Sequence, residues 1–301
     1  MKKLVGLIGL MAMGAAVAAL PETAFRKTPY VGAIAVDAQT GKVLFEDHAD
    51  TVARPASVTK LMTLLLVLED MHAMKYDPTT RVTASVRCSQ EKPSVVGLKP
   101  GQSMTVDDLL LSIMVKSAND AAVLLAENST AKNAGRDIQP GDLQAFVVRM
   151  NNRAAQLGMT STHYETPNGY PPKPGSKRPF DTSTCRDLVK LARKLVTMPE
   201  VFRFTKTKIC TVTDGAGNPL KMVNHNNILV KDKKKILNER GESEVDGLKT
   251  GYIDAGGSPI ILTGIRNGKR AIVVVVGSQT SKLRDEHARK LMVDALDKIN
   301  R

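Results

Sequence analysis

The chain has 301 residues, 42% hydrophobic and 24% charged, which excludes a disordered, collagen-like or coiled-coil chain and leaves room for one large domain or two at roughly 150 residues each. Aromatic residues are only 4% and Trp is absent, so a base-stacking or sugar-stacking platform is poorly supplied. The net charge of +13, from 43 basic and 30 acidic side chains, suits nucleic acid, an anionic membrane or an anionic wall polymer, or is simply a solvated basic surface.

Met1-Lys2-Lys3 gives a positive start, Leu4 to Leu20 is apolar, and Ala16-Val17-Ala18 fits an A-x-A cleavage site. Residues 1–18 therefore read as a signal peptide; the alternative is an uncleaved anchor at the lower limit of a spanning length. No later stretch is apolar for long enough to span a bilayer. Export directs the protein to the periplasm or another extracytoplasmic part of the cell envelope, and nucleic acid drops out as a partner. The three cysteines, Cys88, Cys185 and Cys210, cannot all pair within one chain. One disulfide plus a buried thiol and three buried thiols both remain open. Neither they nor His48, His72, His163, His225 and His287 have metal-ligand spacing, so no metal is expected.

Residues 31–47 read as a β-hairpin about the turn Ala38-Gln-Thr-Gly41. A helix is expected from Ser57 to about Met71, apolar on nearly every side from Leu61 to Leu68, as a buried central helix would be. Residues 82–104 read as loops and short strands. Thr105 then caps a helix with Asp107 and Asp108 in its first turn, which stops near Val115. A further helix starts at Asn119 or Asp120 and runs to Glu127. Asp142 caps the next, which Gly158 ends. Residues 166–181 read as a Pro- and Gly-rich surface loop, and a helix follows from Thr184 to Met198, before Pro199. The basic segment 206–248, with Lys231 and Lys233-Lys-Lys235, reads as a solvated loop. Strand returns after Lys249. Ser258–Arg266 and Lys269–Gly277 flank Asn267-Gly268 as a second hairpin, and a last helix spans Ser281 to about Asn300. Strands at both ends with helices between predict one α/β domain over 19–301, its sheet built from both termini and covered by helices, with a helical insertion at about 82–200.

Acyl transfer needs an activated hydroxyl, a base beside it and donors for the oxyanion. No His lies in a suggestive context, but Lys serves when its ammonium is destabilised. Ser57-Val58-Thr59-Lys60 offers that pair, since i and i+3 share a helix face and Lys60 falls inside the apolar helix. The same spacing recurs at Ser89–Lys92 and Ser129–Lys132, but only Ser57 follows a Pro and opens a long apolar helix. In Ser117-Ala118-Asn119, residues i and i+2 face one cleft if the backbone is extended; the alternative is that one of them caps the next helix. In Lys249-Thr250-Gly251, Lys and Thr suit a carboxylate, Gly lets a substrate backbone lie close, and a second ammonium near Lys60 lowers its basicity further.

The triple Ser-x-x-Lys, Ser-x-Asn and Lys-Thr-Gly resembles the signature of penicillin-binding proteins and class A β-lactamases. Together with Arg54-Pro-Ala-Ser-Val-Thr-Lys-Leu-Met62, Val96-Gly-Leu-Lys-Pro-Gly101, Lys116-Ser-Ala-Asn-Asp-Ala-Ala122, Phe146-Val-Val-Arg-Met-Asn151, Leu157-Gly-Met-Thr160 and Val245-Asp-Gly-Leu-Lys-Thr-Gly-Tyr252, it makes the chain resemble the serine-type D-Ala-D-Ala carboxypeptidases, the low-molecular-mass penicillin-binding proteins, over about residues 30–300. The resemblance implies an α/β/α sandwich with an antiparallel sheet and a helical subdomain. It implies Ser57 as acylated nucleophile, Lys60 as its base and Ser117 as proton relay. Asn119 would hold the substrate and orient Lys60, Lys249 and Thr250 would contact the terminal carboxylate beside Gly251, and the Ser57 and Tyr252 amides would form the oxyanion hole. The implied partners are the D-Ala-D-Ala stem of peptidoglycan and β-lactam inhibitors, with no cofactor. Many relatives carry a C-terminal β-domain and membrane anchor, for which no room is expected after Arg301; membrane attachment then falls to the N-terminal segment. Residues 167–175 also depart from the family pattern. A class A β-lactamase would need a Glu in an E-x-x-L-N pattern, which is not found between Asn119 and Lys249. A non-catalytic wall-binding or penicillin-sensing module is the other alternative.

Overall fold

The computed structural model describes residues 29–230, 236 and 244–301; the N-terminal segment and the lysine cluster at 231–235 lie outside them. The first hairpin is β1 (Gly32–Asp37) and β2 (Val43–Asp47). The second is β8 (Ser258–Arg266) and β9 (Lys269–Ser278), preceded by β7 (Val245–Thr250). They form one antiparallel five-stranded sheet in the order β2-β1-β9-β8-β7. Its centre is thus built from both ends of the described chain, as β1 pairs with β9 at Ile34–Val274.

The period-2 alternation of a strand divides the sheet into two buried faces. Ala33, Ala35, Ile260, Leu262, Val273 and Val275 pack on Ala288, Leu291, Met292, Ala295 and Leu296 of α8 (Ser281–Asn300). Ile34, Val36, Ile261, Ile272 and Val274 face the larger core with α1 (Lys60–His72). Burial on both sides explains why Ala271–Val276 is apolar at every position. Leu61 to Leu68 of α1 are all buried, as expected of a central helix.

Behind α1 lie α2 (Val106–Leu111), continued by a π turn over Ser112–Lys116, then α3 (Asn119–Asn133) and α4 (Asp142–Gln156), while α5 (Cys185–Leu195) packs beside α1 on β9 and β1. Local chemistry sets their ends. Thr105 accepts from the Asp108 amide at 3.1 Å, Thr184 from Asp187 at 3.1 Å and Thr280 from Leu283 at 3.2 Å, each satisfying an orphan donor of a first turn.

Several expectations are corrected. α3 continues past Glu127 to Asn133, because Ser129 is buried and donates to Asp70 of α1 while Asn133 donates back to the Ser129 carbonyl at 2.8 Å. Asp142 does not cap α4: Gly141 does, and the Asp142 carboxylate instead accepts from Arg136 and the Gln139 amide. The segment 206–248 is not one loop. After a short helix α6 (Val201–Thr205) it holds a hairpin, β5 (Ile209–Thr213) with β6 (Pro219–Val223), and a short helix α7 (Asn227–Val230). β7 begins at Val245, so Lys249-Thr250 ends a strand instead of starting one. Between 82 and 104 the short strands β3 (Arg81–Thr83) and β4 (Ser103–Thr105) pair as expected of that region. All three cysteines are free thiols.

Candidate active site

Ser57 sits in a 3-10 turn, Ala56–Thr59, that leads into α1. The turn is forced by its neighbours: Ala56 adopts a left-handed φ of 47°, and the Gly169 backbone presses on it. A Cβ at Gly169 would stand 1.8 Å from the Ala56 carbonyl oxygen, and φ there is +76°, so only glycine fits. From the other side, a Cβ at Gly251 would stand 2.9 Å from the Ser57 amide nitrogen. Gly251 is therefore needed for the approach of the Ser57 backbone, a nearer reason than the approach of a substrate.

Lys60 is fully buried. Its Nζ lies 2.9 Å from Ser57 Oγ, 2.7 Å from Asn119 Oδ1 and 2.7 Å from the Asn168 carbonyl oxygen. Burial pushes its ammonium well below the ordinary lysine value, and the Lys249 ammonium adds to this; Glu91, Asp181 and Asp120 oppose it. The partners define the lone pair. Two of the three are oxygens that can only accept, so a neutral Lys60 spends both N–H bonds on them. The remaining lone pair faces Ser57 Oγ, which alone of the three can donate.

Ser117 and Asn119 do share one cleft, but not by extended backbone. Ser117 has φ 61° and ψ 33°, Ala118 is extended and caps α3 without a side-chain bond, and Asn119 is the first helical residue. Neither serves as a cap. A left-handed non-glycine residue costs on the order of 1–3 kcal/mol, a strain characteristic of functional sites. Asn119 Nδ2 donates to the Lys92 carbonyl at 2.8 Å, which turns its Oδ1 toward Lys60.

β7 brings Lys249 to the same place. Its Nζ donates to Ser117 Oγ at 3.0 Å and to the Thr250 carbonyl at 3.0 Å. Burial, with the charge of Arg284, pushes it down to about 7. A cavity of about 1010 Å³ is lined by Ser57, Ser117, Asn119, Thr250, Gly251 and Tyr252. All eight residues singled out in the sequence thus gather at one cleft or in its wall. The Tyr252 ring is exposed, its hydroxyl 2.5 Å from Asp254; its backbone adjoins Gly251 and so runs beside the Ser57 amide.

Three contributors were not read from the sequence. Asn168 acts through its backbone carbonyl, which any residue type offers, so no side-chain signal marks it; the segment 166–181 is consequently a wall of the site as well as a surface loop. Glu91 accepts from Asn168 Nδ2 at 2.9 Å. Arg284 is buried, lines the cavity and lies in the first turn of α8. A cation at the positive end of a helix is electrostatically misplaced, and that was the available signal. Among the described residues no group of three His, Cys, Asp or Glu is placed to hold a metal ion, and no helix is long and apolar enough to cross a membrane.

A buried lysine 2.9 Å from a serine hydroxyl, beside a second serine–lysine pair on an α/β fold, is the arrangement that acyl transfer by an enzyme of the Ser–Lys type requires. The chain belongs to the D-alanyl-D-alanine carboxypeptidase family, whose profile matches residues 27–280. It is 32% identical over 299 residues to the D-alanyl-D-alanine carboxypeptidase DacC of Escherichia coli, covering 94% of this chain and 67% of that protein. It is 28% identical to DacF of Bacillus subtilis, covering 97% and 70%. Its fold matches penicillin-binding protein D2 of Listeria monocytogenes in the cefotaxime-bound form, with a TM-score of 0.70, 30% identity, and coverage of 89% of this chain and 97% of that one.

Proposed function

We propose that this chain is a serine-type D-alanyl-D-alanine carboxypeptidase that trims the terminal D-Ala from peptidoglycan stems outside the cytoplasm. The terminal carboxylate lies against Lys249, Thr250 and Arg284. Neutral Lys60 takes the Ser57 proton as Oγ bonds to the penultimate carbonyl carbon. The oxyanion receives the amides of Ser57 and Tyr252. When the C–N bond breaks, the D-Ala nitrogen takes a proton from Lys60 relayed by Ser117, and an ester to Ser57 remains. Water then attacks the ester, Lys60 accepts its proton, and Ser57 leaves as the hydroxyl, reprotonated from Lys60. The observation that carries this reading is the set of three partners around buried Lys60 Nζ, of which Ser57 Oγ alone can donate.

β-Lactams acylate the same oxygen and leave slowly on this reading. The carboxylates around Lys60 are engaged elsewhere: Glu91 with Arg87 and Asn168, Asp120 with the amides of Val96, Gly97 and Leu98, and Asp181 with Thr59 and the Glu165 amide. None bonds Ser57. Intact mass after benzylpenicillin, and D-Ala release from a peptide ending in D-Ala-D-Ala, test the proposal. The expected result is one stable adduct and release in the wild type and neither in Ser57→Ala. An adduct on both proteins would move the nucleophile elsewhere. Rapid multiple turnover of benzylpenicillin would favour a lactamase, and wall binding without D-Ala release a non-catalytic module.

A further inference from the structure

The lone pair of Lys60 points at Ser57 only while two oxygens stay in place, Asn119 Oδ1 and the Asn168 carbonyl. These come from different parts of the fold, the start of α3 and the loop after α4. One dipeptide holds both. The Lys92 carbonyl accepts from Asn119 Nδ2 at 2.8 Å and the Glu91 carboxylate accepts from Asn168 Nδ2 at 2.9 Å. Asn168 is further fixed by its Oδ1, which accepts from the Tyr170 amide at 2.9 Å, and it is itself buried. Glu91 is anchored in turn by Arg87 at 2.5 Å, its own side chain nearly buried and that of Arg87 half exposed.

We infer that Glu91 is a positioning residue for acylation, holding Asn168 so that its carbonyl and Asn119, braced by the adjoining Lys92 carbonyl, orient Lys60 toward Ser57. It touches neither substrate nor Ser57 and acts only through Asn168 and Lys60. The inference rests on the Ser57–Lys60 reading given above. Glu91 also has an electrostatic effect. Lys60 is faced by Lys249 from β7, by Asp120 from α3, by Asp181 from the loop before α5 and by Glu91. Glu91 opposes the downward push of burial and Lys249. It thereby keeps Lys60 basic enough to take a proton from an alcohol, while the geometry keeps the amine aimed.

The two contributions separate in two variants. Glu91→Gln keeps an oxygen for Asn168 Nδ2 and removes the charge; Glu91→Ala removes both. The second-order rate of acylation by a fluorescent penicillin is measured from pH 5 to 9, with Ser57→Ala as the blank and thermal melting alongside. For Glu91→Gln the acid limb of the profile moves to lower pH by about half a unit or more, because losing a nearby carboxylate and leaving Arg87 unpaired favours neutral Lys60. Its plateau stays within about threefold of wild type. Glu91→Ala shows the same displacement and a plateau lowered about tenfold or more, the expected cost of a loosened base. A Glu91→Ala plateau at the wild-type level, or one that falls only in step with melting temperature, overturns the positioning role whatever the pH displacement. A wild-type protein that forms no Ser57 adduct overturns the proposed function instead, a distinct result from the same plates.

Discussion

Replacing Gly251 by Ala tests how closely the strand and the nucleophile are fitted. The backbone at Gly251 carries no left-handed φ, so an added methyl meets space restrictions and no torsional ones. That methyl would stand 2.9 Å from the Ser57 amide nitrogen, 3.1 Å from Ala56 Cβ and 3.1 Å from Pro259 Cγ, where ordinary contact begins near 3.4 Å. Pro259 belongs to the inner strand β8 and accepts from the Gly251 amide at 2.9 Å, so it does not yield readily. The displacement is therefore taken by the Ser57 turn, by about half an ångström. Misplacing a reacting group by about 1 Å costs on the order of a hundredfold, so half of that predicts roughly tenfold slower acylation. Overpacking of this kind lowers stability by about 1–3 kcal/mol. Stopped-flow acylation by a fluorescent penicillin reads the first and urea unfolding the second. Adding Ala56→Gly removes one of the three contacts at a position whose φ of 47° suits glycine, and recovers part of both losses as a coupled pair should. If Gly251→Ala acylates at the wild-type rate with unchanged stability, the strand is not pressed against the nucleophile and the explanation for this glycine is wrong.

On the proposed mechanism, acylation of the free enzyme needs Lys60 neutral and Lys249 charged. Its second-order rate rises with pH through the depressed Lys60 value and falls as pH passes about 7, where Lys249 loses its proton; a rate for a D-Ala-D-Ala peptide that climbs unbroken to pH 9 contradicts this. A bound carboxylate favours charged Lys249, so the alkaline limb of kcat should lie above that of kcat/KM. Asp181 is buried and its carboxyl is raised from 3.8 to about 6. The folded state thus holds this proton more tightly than the unfolded one: the stability it lends is full below about pH 4 and is lost as pH rises through about 6. Against Asp181→Asn, wild type should lose about 2–3 kcal/mol between pH 4 and 7 in urea titrations, and a pH-independent gap refutes the assignment. Gly169→Ala drives a methyl into the Ala56 carbonyl; acylation should fall about a hundredfold or more, and retention of the wild-type rate refutes the account of that contact.

Features carried by side-chain periodicity were legible in the sequence. The α8 boundaries, the β8–β9 hairpin about Asn267-Gly268 and the buried face of α1 follow from hydrophobic spacing and turn chemistry. The three motifs were legible because their chemistry is in the side chains. The hairpin of β5 and β6 was missed although Ile209–Thr213 alternates and Asp214-Gly-Ala-Gly217 marks a turn, with Asp214 accepting from the Ala216 and Asn218 amides. The charge of the surrounding lysines outweighed that signal. β7 was read late because Gly247 interrupts its alternation. Asn168 lay beyond reach, since a backbone carbonyl leaves no trace in residue type.

That asymmetry follows from how a lysine is made into a base without imidazole. Desolvation alone yields a neutral amine, but an amine free to rotate has no fixed lone pair. Direction comes from occupying both N–H bonds with acceptors that cannot donate, and here one acceptor is a side chain, Asn119, and the other is main chain. A main-chain acceptor has to be delivered by the loop that carries it. Hence the loop is held at three points: Gly169 against Ala56, the Pro167 carbonyl accepting from Thr63 at 2.6 Å, and Asn168 bonded to Glu91. Each of these contacts reaches α1, the turn that opens it, or the segment that also holds Asn119. The backbone of the loop stands against Lys60 at 167–169, so substitutions are constrained there and freer at 171–176, where the chain walls the cleft. Alanine substitution across 171–176 should change KM for the stem peptide with little effect on kcat, whereas changes at 167–169 should lower kcat. A scan in which both groups alter kcat alike would show that the loop does not deliver the carbonyl independently of its rim.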